Sequence, residues 1–447
     1  MTAIALGIAL SVIDASIANL ALPDIPRDLG ASASASVWVL TAYQLATLAL
    51  LLPFASLGER LGYRSVYLWG LALFVAASVA CTAVDSLALL AAARAVQGIG
   101  AAGMMAVNTV LVRLTYPYQL LGRGIALNSI VVATSSVAGP TVAAAVLTFA
   151  SWRWLFAINI PLGLLVLWLG RRALPHSTRR AAGPLRLFDG ALNILMFSLV
   201  FLGADAIGAR ASAERAAAIP YPAAVGLLVA GAVVGVVYVR RQLRAAYPLL
   251  PVDLLRIRVF ALSMCTSVTA FASQTLAFVA LPFLLLEAQQ RSHLEAGLVI
   301  TAWPLATICA APIAGRLIGC YPGGLLGFVG LAVLASGLAA LAMAPAAPDV
   351  LDLGWRLALC GAGFGLFQSP NNHTIVTTAP ASRVGAASGM LGSARLTGQS
   401  LGAVMVGVVF SVVGVHDGRG PLISLGLAAA LAGFAAVFSV LRVQPAR

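Results

Sequence analysis

Asp14 sits near the middle of an apolar run from Ala3 to Leu22, in Val12-Ile13-Asp14-Ala15-Ser16-Ile17-Ala18-Asn19-Leu20-Ala21-Leu22-Pro23. A carboxylate in such surroundings points to a proton relay or a substrate path. Arg94 lies inside another apolar run, in Leu90-Ala91-Ala92-Ala93-Arg94-Ala95-Val96-Gln97-Gly98. At 1.5 Å per residue, Arg94 is about 10 Å below the outer end of its segment and Asp14 about 12 Å below the outer end of the first. The two can therefore meet at one depth. A pair lowers the insertion cost of each charge, about 2.5 to 3.5 kcal/mol for a lone one at mid-bilayer. A static structural pair would leave the same pattern. Arg395, in Gly389-Met390-Leu391-Gly392-Ser393-Ala394-Arg395-Leu396-Thr397-Gly398-Gln399, stands roughly 13 Å above the cytoplasmic end of its run. It needs a carboxylate, carbonyls or water, and the sequence names no partner.

These depths require segments that cross a membrane, and the composition supplies them. Of the 447 residues, 61% are hydrophobic and 9% charged, against about 25% charged in soluble proteins, and the mean hydropathy is +0.99. Runs of about 20 residues match a hydrocarbon core of roughly 30 Å. The short alternating strands of a membrane barrel are absent. Hydropathy predicts fourteen helical spans. The first six are Ala3 to Leu22, Val37 to Leu57, Val66 to Ala83, Leu87 to Leu111, Gly124 to Ala150 and Leu155 to Gly170. Leu187 to Ile207 and Tyr221 to Val239 follow. The last six are Val259 to Leu286, Ala296 to Ile318, Gly323 to Met343, Leu353 to Val376, Ala386 to Val415 and Pro421 to Leu441.

Alternate connections differ sharply in arginine, eighteen on one set against seven on the other. Basic connections stay cytoplasmic, which places both termini on that side. The net charge of +13 follows from the same bias and implies no nucleic-acid partner. All 27 basic residues are arginine, so a Walker A lysine and a lysine Schiff base are both excluded. Five scattered cysteines read as small buried apolar residues, and four dispersed histidines give no zinc spacing. No histidine-rich or nucleophile-base cluster suggests an enzyme. The first run lacks the basic flank and cleavage site of a signal peptide. A span starting near residue 3 suggests that a short cytoplasmic leader precedes it.

Arginine-rich connections at 171–186 and 240–258 bracket the two middle spans. This divides the chain into a six-helix bundle over 1–170, a linker with two additional helices over 171–258, and a second six-helix bundle over 259–447. Arg123-Gly124-Ile125-Ala126-Leu127-Asn128 and Arg383-Val384-Gly385-Ala386-Ala387-Ser388-Gly389 open the fifth and thirteenth spans, a weak echo of related halves. Repeated bundles are a transporter architecture with a substrate site near the midplane.

Three motifs make a resemblance specific. Leu57-Gly58-Glu59-Arg60-Leu61-Gly62-Tyr63-Arg64 joins the second and third spans. The Arg94 segment continues through Gln97-Gly98-Ile99-Gly100-Ala101-Ala102. The fifth span carries Ala138-Gly139-Pro140-Thr141-Val142-Ala143-Ala144, followed by Trp152-Arg153-Trp154 and Asn159-Ile160-Pro161-Leu162-Gly163. Together they resemble the fourteen-span drug:proton antiporter branch of the major facilitator superfamily, over essentially the whole chain. Departures are Ala55 for the first glycine of the loop motif, Glu59 for its aspartate, and alanines for the last two glycines of the antiporter motif.

The resemblance implies an all-α membrane protein of the major facilitator fold, in the cell (inner) membrane. It implies a proton-coupled exporter of small lipophilic, cationic compounds, with the proton gradient rather than a cofactor as energy source. Asp14 and Arg94 would couple protons, and Gly58, Glu59, Arg60, Gly62 and Arg64 would form the cytoplasmic gate. Gly139 and Pro140 would form the antiporter motif. Asn19, Trp38, Tyr43, Gln97, Trp303, Phe367, Gln368, Asn371, Asn372, Arg395 and Gln399 are candidates for the substrate cavity. Aromatic faces at Phe271, Phe283 and Phe364 also suit cations, though such rings more often pack, and the polar candidates serve equally as interhelical hydrogen-bonding groups. Asp14 is the only carboxylate placed well inside a span, Asp205 and Glu287 falling near outer helix ends. The partners expected are a small molecule, protons and the bilayer, with the protein a monomer. Two other readings are a dedicated exporter of one metabolite or siderophore, and a non-transporting receptor or scaffold.

Overall fold

The computed structural model describes residues 2–115, 121–175, 187–210, 220–244, 252–345, 348–380, 384–415 and 417–443. Arg383, much of the two arginine-rich connections, and the side chains of Arg123 to Asn128 and of Asp205 lie outside the described residues.

Seventeen α-helices occur among them, joined by short connections. They are α1 (Thr2–Ala21), α2 (Asp24–Leu29), α3 (Ala33–Ser36), α4 (Trp38–Leu61), α5 (Tyr63–Ala83), α6 (Leu87–Thr115), α7 (Leu121–Phe149), α8 (Arg153–Ala157) and α9 (Asn159–Ala173). Then come α10 (Leu187–Arg210), α11 (Tyr221–Arg244), α12 (Arg258–Pro282), α13 (His293–Leu317), α14 (Gly323–Ala342), α15 (Val350–Thr378), α16 (Val384–Val413) and α17 (Arg419–Val440). Twelve helical segments are long and apolar enough to cross a membrane by length and composition. The expected fourteen are not reached among the described residues. Apolar stretches Thr134–Phe149 in α7 and Phe188–Ala204 in α10 are shorter, because the other ends of these helices carry side chains outside the described set.

Local sequence explains several boundaries. Gly62 joins α4 to α5 at φ +93°, a conformation that a side chain disfavours. Ser292 opens α13 by accepting from the Glu295 amide at 3.2 Å, a capping-box spacing. The sixth expected span is broken into α8 and α9, since Pro161 cannot donate to the carbonyl of Ala157 and its ring crowds it. The ninth ends in a π-helical segment, Phe283–Ala288, directly after Pro282.

The chain forms two units, Met1–Gly203 with Val225–Tyr238, and Ala204–Ala224 with Val239–Arg447. In the first, α4 and α5 pack on α6, α1 packs on α7, and α9 packs on α1 and α5. In the second, α13 and α14 pack on α15, α12 packs on α16, and α17 packs on α12 and α14. One pairing scheme thus serves both. Within the first unit, α10 lies along α11 with Gly203 against Leu228 and Gly231 against Val200. Asn193 ties α10 to α4 by donating to the Ala49 carbonyl at 2.7 Å.

Asp189, at the start of α10, is 2% exposed, and Glu287, near the end of the π-helical segment, is 8% exposed. Both are enclosed but stand near helix ends, unlike Asp14 in the body of α1. The expectation that the cysteines are buried is corrected. Cys81 and Cys360 are buried, but Cys265, Cys309 and Cys320 are exposed, and all five are free thiols. At the Ala21 end of α1, Asp28 accepts from Trp152 at 3.0 Å and from Arg153 at 2.5 Å. The arginine beside it, and then the indole, hold its carboxyl below the usual carboxylate value.

Glycine lets the helices approach. A Cβ at Gly98 would lie 2.3 Å from the Tyr43 carbonyl oxygen, whereas one at Gly315 would meet nothing within 4 Å. Gly98→Ala should lower stability by about 1 to 3 kcal/mol through overpacking, while Gly315→Ala should be neutral or mildly stabilising. Thermal unfolding of the two purified variants in detergent checks this.

Candidate functional site

Arg94 reaches its place because α6 is pressed against both neighbours. Gly98, one turn further on, meets α4 at Tyr43, and Gly100 faces Gly70 of α5, where a Cβ would lie 2.6 Å from the Gly70 carbonyl oxygen. The Thr47 hydroxyl spans the first of these contacts, shared between the carbonyls of Tyr43 at 2.7 Å and Gly98 at 3.1 Å. Arg94 is thereby enclosed among α1, α4, α5, α8 and α9.

Its guanidinium Nη1 donates to Asp14 Oδ2 at 2.7 Å and to Gln97 Oε1 at 2.6 Å, and Nε donates to the Val39 carbonyl at 3.1 Å. The Gln97 amide in turn donates to Asp14 Oδ1 at 3.0 Å and to the Ser78 hydroxyl at 2.9 Å. Asn159 Nδ2 adds a third donor to Asp14, at 2.6 Å. Because Gln97 both accepts from Arg94 and donates to Asp14, its amide orientation follows from the network. The guanidinium carbon stands 4.3 Å from the Tyr43 ring centroid and 5.4 Å from that of Phe156. Asp14, Arg94, Gln97, Asn159 and Ser78 all have no exposed surface.

Chemically, Asp14 is the acceptor in all three bonds, since Arg94, Gln97 and Asn159 each donate to it. Protonating Asp14 replaces one acceptor oxygen by a hydroxyl and removes the counter-charge of Arg94. Among the described residues Arg94 Nη2 and Asn159 Oδ1 are enclosed without a hydrogen-bond partner, so the network is not saturated there. A rearrangement that moves a proton has an unused donor and an unused acceptor within it.

The second unit repeats the scaffold without the charge. Thr307 is shared between the carbonyls of Trp303 at 3.0 Å and Gly361 at 2.9 Å, as Thr47 is between Tyr43 and Gly98. A Cβ at Gly361 would lie 2.0 Å from the Trp303 oxygen, and Gly363 faces Gly330 as Gly100 faces Gly70. Four residues before Gly361, where the first unit has Arg94, stands Leu357, and Cys360 stands where Gln97 would be. Both are fully buried.

The other candidates divide. Tyr43 and Gln97 belong to the Asp14 network. Gly139 packs on Ser16 of α1, where a Cβ would meet the serine side chain at 2.5 Å, and Pro140 follows it inside α7. Asn19 bonds back to the Ala15 carbonyl at 3.4 Å, and Trp38 is half-buried at the start of α4. In the loop motif Gly58 packs against Val107 and Tyr63, and Arg64 donates to the Arg171 carbonyl at the end of α9. Arg60 is half-buried. Glu59 is exposed. It projects from the last turn of α4.

In the second unit Trp303 and Phe367 are buried packing groups, Trp303 against Phe278 and Phe367 against Phe364. Asn371 is structural: its amide donates to Ser267 at 2.7 Å and accepts from Arg442 at 2.5 Å. Arg442 also donates to Ser263 at 2.8 Å and Ser439 at 2.6 Å. Gln368, Asn372, Arg395 and Gln399 are half-buried. Sequence reasoning missed Ser78 and Phe156, whose types are ordinary in apolar helices, and the Arg442 cluster, whose members are far apart in the chain. Asn159, a lone amide in an apolar run, was the available signal.

A family model described as Major Facilitator Superfamily matches residues 4–403 and 263–446. The chain belongs to that superfamily. It is accordingly a multi-pass membrane transporter of the cell (inner) membrane, not an enzyme. It is 49% identical over 99% of its length to "Uncharacterized transporter YebQ" of Escherichia coli, covering 95% of that protein. It is 29% identical over 92% of its length to "Multidrug resistance protein Stp" of Mycobacterium tuberculosis, covering 76% of it. It is 27% identical over 91% of its length to "Riboflavin transporter RibZ" of Clostridioides difficile, covering 87% of it. Among solved structures, a POT family transporter aligns with a TM-score of 0.72 at 14% identity, over 99% of this chain and 96% of the other. That likeness speaks to the fold alone.

Arg94→Leu leaves an enclosed carboxylate without its cation and should cost about 3 to 5 kcal/mol. Adding Asp14→Asn to it should restore part of that stability by removing the stranded charge. Unfolding temperatures of the single and double variants measure the difference.

Proposed function

We propose that this chain is a proton-coupled efflux antiporter of the fourteen-span branch, exporting small lipophilic compounds, cationic ones by the resemblance above, by alternating access. The observation that carries the reading is the enclosed Asp14 carboxylate, held by Arg94 of α6, Gln97 of α6 and Asn159 of α9. In this mechanism Asp14 takes a proton from outside and releases it towards the cytoplasm. Protonation cancels the charge that holds α1 to α6 and α9, so proton binding changes the contacts of all three helices. Arg94 is then the positioning cation, and Gly139 against Ser16 keeps α7 in register with the helix that carries Asp14. Similarity to relatives named for multidrug resistance and efflux supports export.

The same proposal takes α7 and α10 as complete spans, which makes fourteen with both termini cytoplasmic, as the arginine asymmetry suggests. It takes 171–258 as a linker bearing two added helices between bundles 1–170 and 259–447, and a monomer as the working unit. Gly58, Glu59, Arg60, Gly62 and Arg64 act as the cytoplasmic gate. Gln368, Asn372, Arg395 and Gln399 are kept as substrate contacts, whereas Asn371 is assigned to packing. A second reading, a dedicated exporter of one metabolite, is favoured by the relative named as a riboflavin transporter.

Proteoliposomes carrying the purified protein, an imposed pH gradient and a panel of lipophilic dyes of either charge test the coupling. The unmodified protein should drive dye against its gradient, and Asp14→Asn should fall to the flux seen with no pH difference. Equal gradient-driven flux in Asp14→Asn would overturn the coupling role. A broad dye profile supports the multidrug reading, and a single transported metabolite supports the second.

A further inference from the structure

Two arginines are buried among the described residues, and each has polar partners of its own. Arg94 has Asp14 as a counter-ion. Arg442 is held by Ser263, Asn371 and Ser439. Arg395 differs from both. It lies within the apolar stretch Gly389–Val413 of α16, about 16 Å from the Val384 end at 1.5 Å per residue. It is half-buried, and among the described residues it makes no hydrogen bond or ion pair. What it does have is a ring: its guanidinium carbon stands 5.4 Å from the Phe271 centroid.

That ring is itself fixed. Phe271 meets Phe364 edge-on at 5.5 Å, and Phe364 meets Phe367 at 5.7 Å. Just beyond Arg395, α16 is pressed against α12 at Gly398 and Gly402, where a Cβ would lie 2.4 Å from the carbonyl oxygens of Val268 and Ala272 respectively. The helix backbone that carries Arg395 is therefore set against α12, and its guanidinium carbon lies over the Phe271 ring. A guanidinium held beside an aromatic ring and bonded to no other group has N–H edges free for planar, bidentate contact with an oxyanion. Gln399, four residues on and so on the same helix face, is also half-buried and unbonded among the described residues.

No described acid of the second unit lies in the middle of a helix. Asp253, Glu287, Glu295, Asp349, Asp352 and Asp417 all stand at helix ends or in connections. A cationic substrate would find repulsion at Arg395 and, among the described residues of that unit, no carboxylate at its depth. Asp14, in the first unit, already receives three donors.

We propose that Arg395, assisted by Gln399, is the specificity-determining group of the second unit, and that it selects organic anions, a carboxylate or similar oxyanion borne on a planar aromatic body. The direction of transport rests on the export reading above, but the binding preference does not. The charge balance has a consequence. An anion leaving and a proton entering both carry positive charge inward, so their electrical effects add, whereas export of a monovalent cation against one proton is electroneutral. An inside-negative potential should therefore accelerate export of the anion.

Purified full-length protein in detergent, titrated with 1-pyrenebutyrate, its methyl ester and ethidium, tests the assignment. The carboxylate should bind more tightly than the ester. Arg395→Gln should weaken carboxylate binding about ten- to a hundredfold, the loss of a charge-assisted contact, and weaken ester binding far less. Arg395→Lys should keep part of the preference, and an unfolding temperature close to that of the unmodified protein certifies that each variant is folded. Equal affinity for carboxylate and ester in the unmodified protein, tighter binding of ethidium than of the carboxylate, or a carboxylate preference that survives Arg395→Gln would each overturn the assignment. In proteoliposomes with a fixed pH gradient, an imposed inside-negative potential should then speed export of 1-pyrenebutyrate, and no response to potential contradicts the anion reading. Carboxylate binding that depends on Arg395, with no gradient-driven flux of any probe, would instead reject proton-coupled export and leave the binding assignment standing.

Discussion

Enclosing a carboxylate and a guanidinium together is the constraint on which the first unit depends. Each alone is costly in an apolar setting, and their attraction compensates only where geometry is close and the remaining hydrogen-bonding atoms find partners. Arg94 at 2.7 Å from Asp14 meets the first condition. Gln97, Asn159, Ser78 and the Val39 carbonyl meet most of the second, and they come from α6, α9, α5 and α4. Holding one ion pair thus requires five helices to be in register, counting α1. Close approach at Gly98 and Gly100 supplies that register, since a larger residue at either would push α6 away from the groups that satisfy Arg94.

Comparison of the two units separates scaffold from chemistry. Thr47 with Gly98 and Thr307 with Gly361 make the same interhelical contact, so the glycine and threonine positions belong to the packing of the fold. Arg94 and Gln97 have Leu357 and Cys360 at the matching places. The polar network is therefore not needed to assemble such a bundle. Among the described residues it is confined to one unit, while the second unit carries a half-buried arginine elsewhere, Arg395 on α16.

Much of the fold was legible in the sequence because membrane spans announce themselves by length and hydropathy. Depth alone brought Asp14 and Arg94 together, since rise per residue converts chain position directly into height. What depth cannot convey is azimuth. Asn371 and Gln368 lie three residues apart on α15, yet Asn371 is enclosed by Ser267 and Arg442 while Gln368 is half-buried. Neither Asn159 nor Ser78 stood out as a partner of Asp14, because a single amide or hydroxyl in an apolar helix has many uses. Asp189 was passed over for a related reason: it lies close to the start of its helix, where a carboxylate ordinarily meets water, yet it is 2% exposed. Pro161 was visible, but its division of one span into α8 and α9 depends on a backbone clash that hydropathy does not register.

The account's central claim is that Asp14 is the group that gains and loses the proton. Infrared difference spectra of the purified protein, recorded between acid and neutral conditions and again on adding a transported dye, address that claim most directly. The account predicts a protonated-carboxyl carbonyl band that appears on acidification, diminishes when dye binds, and is missing in Asp14→Asn. An identical set of difference bands in the unmodified protein and in Asp14→Asn would contradict it.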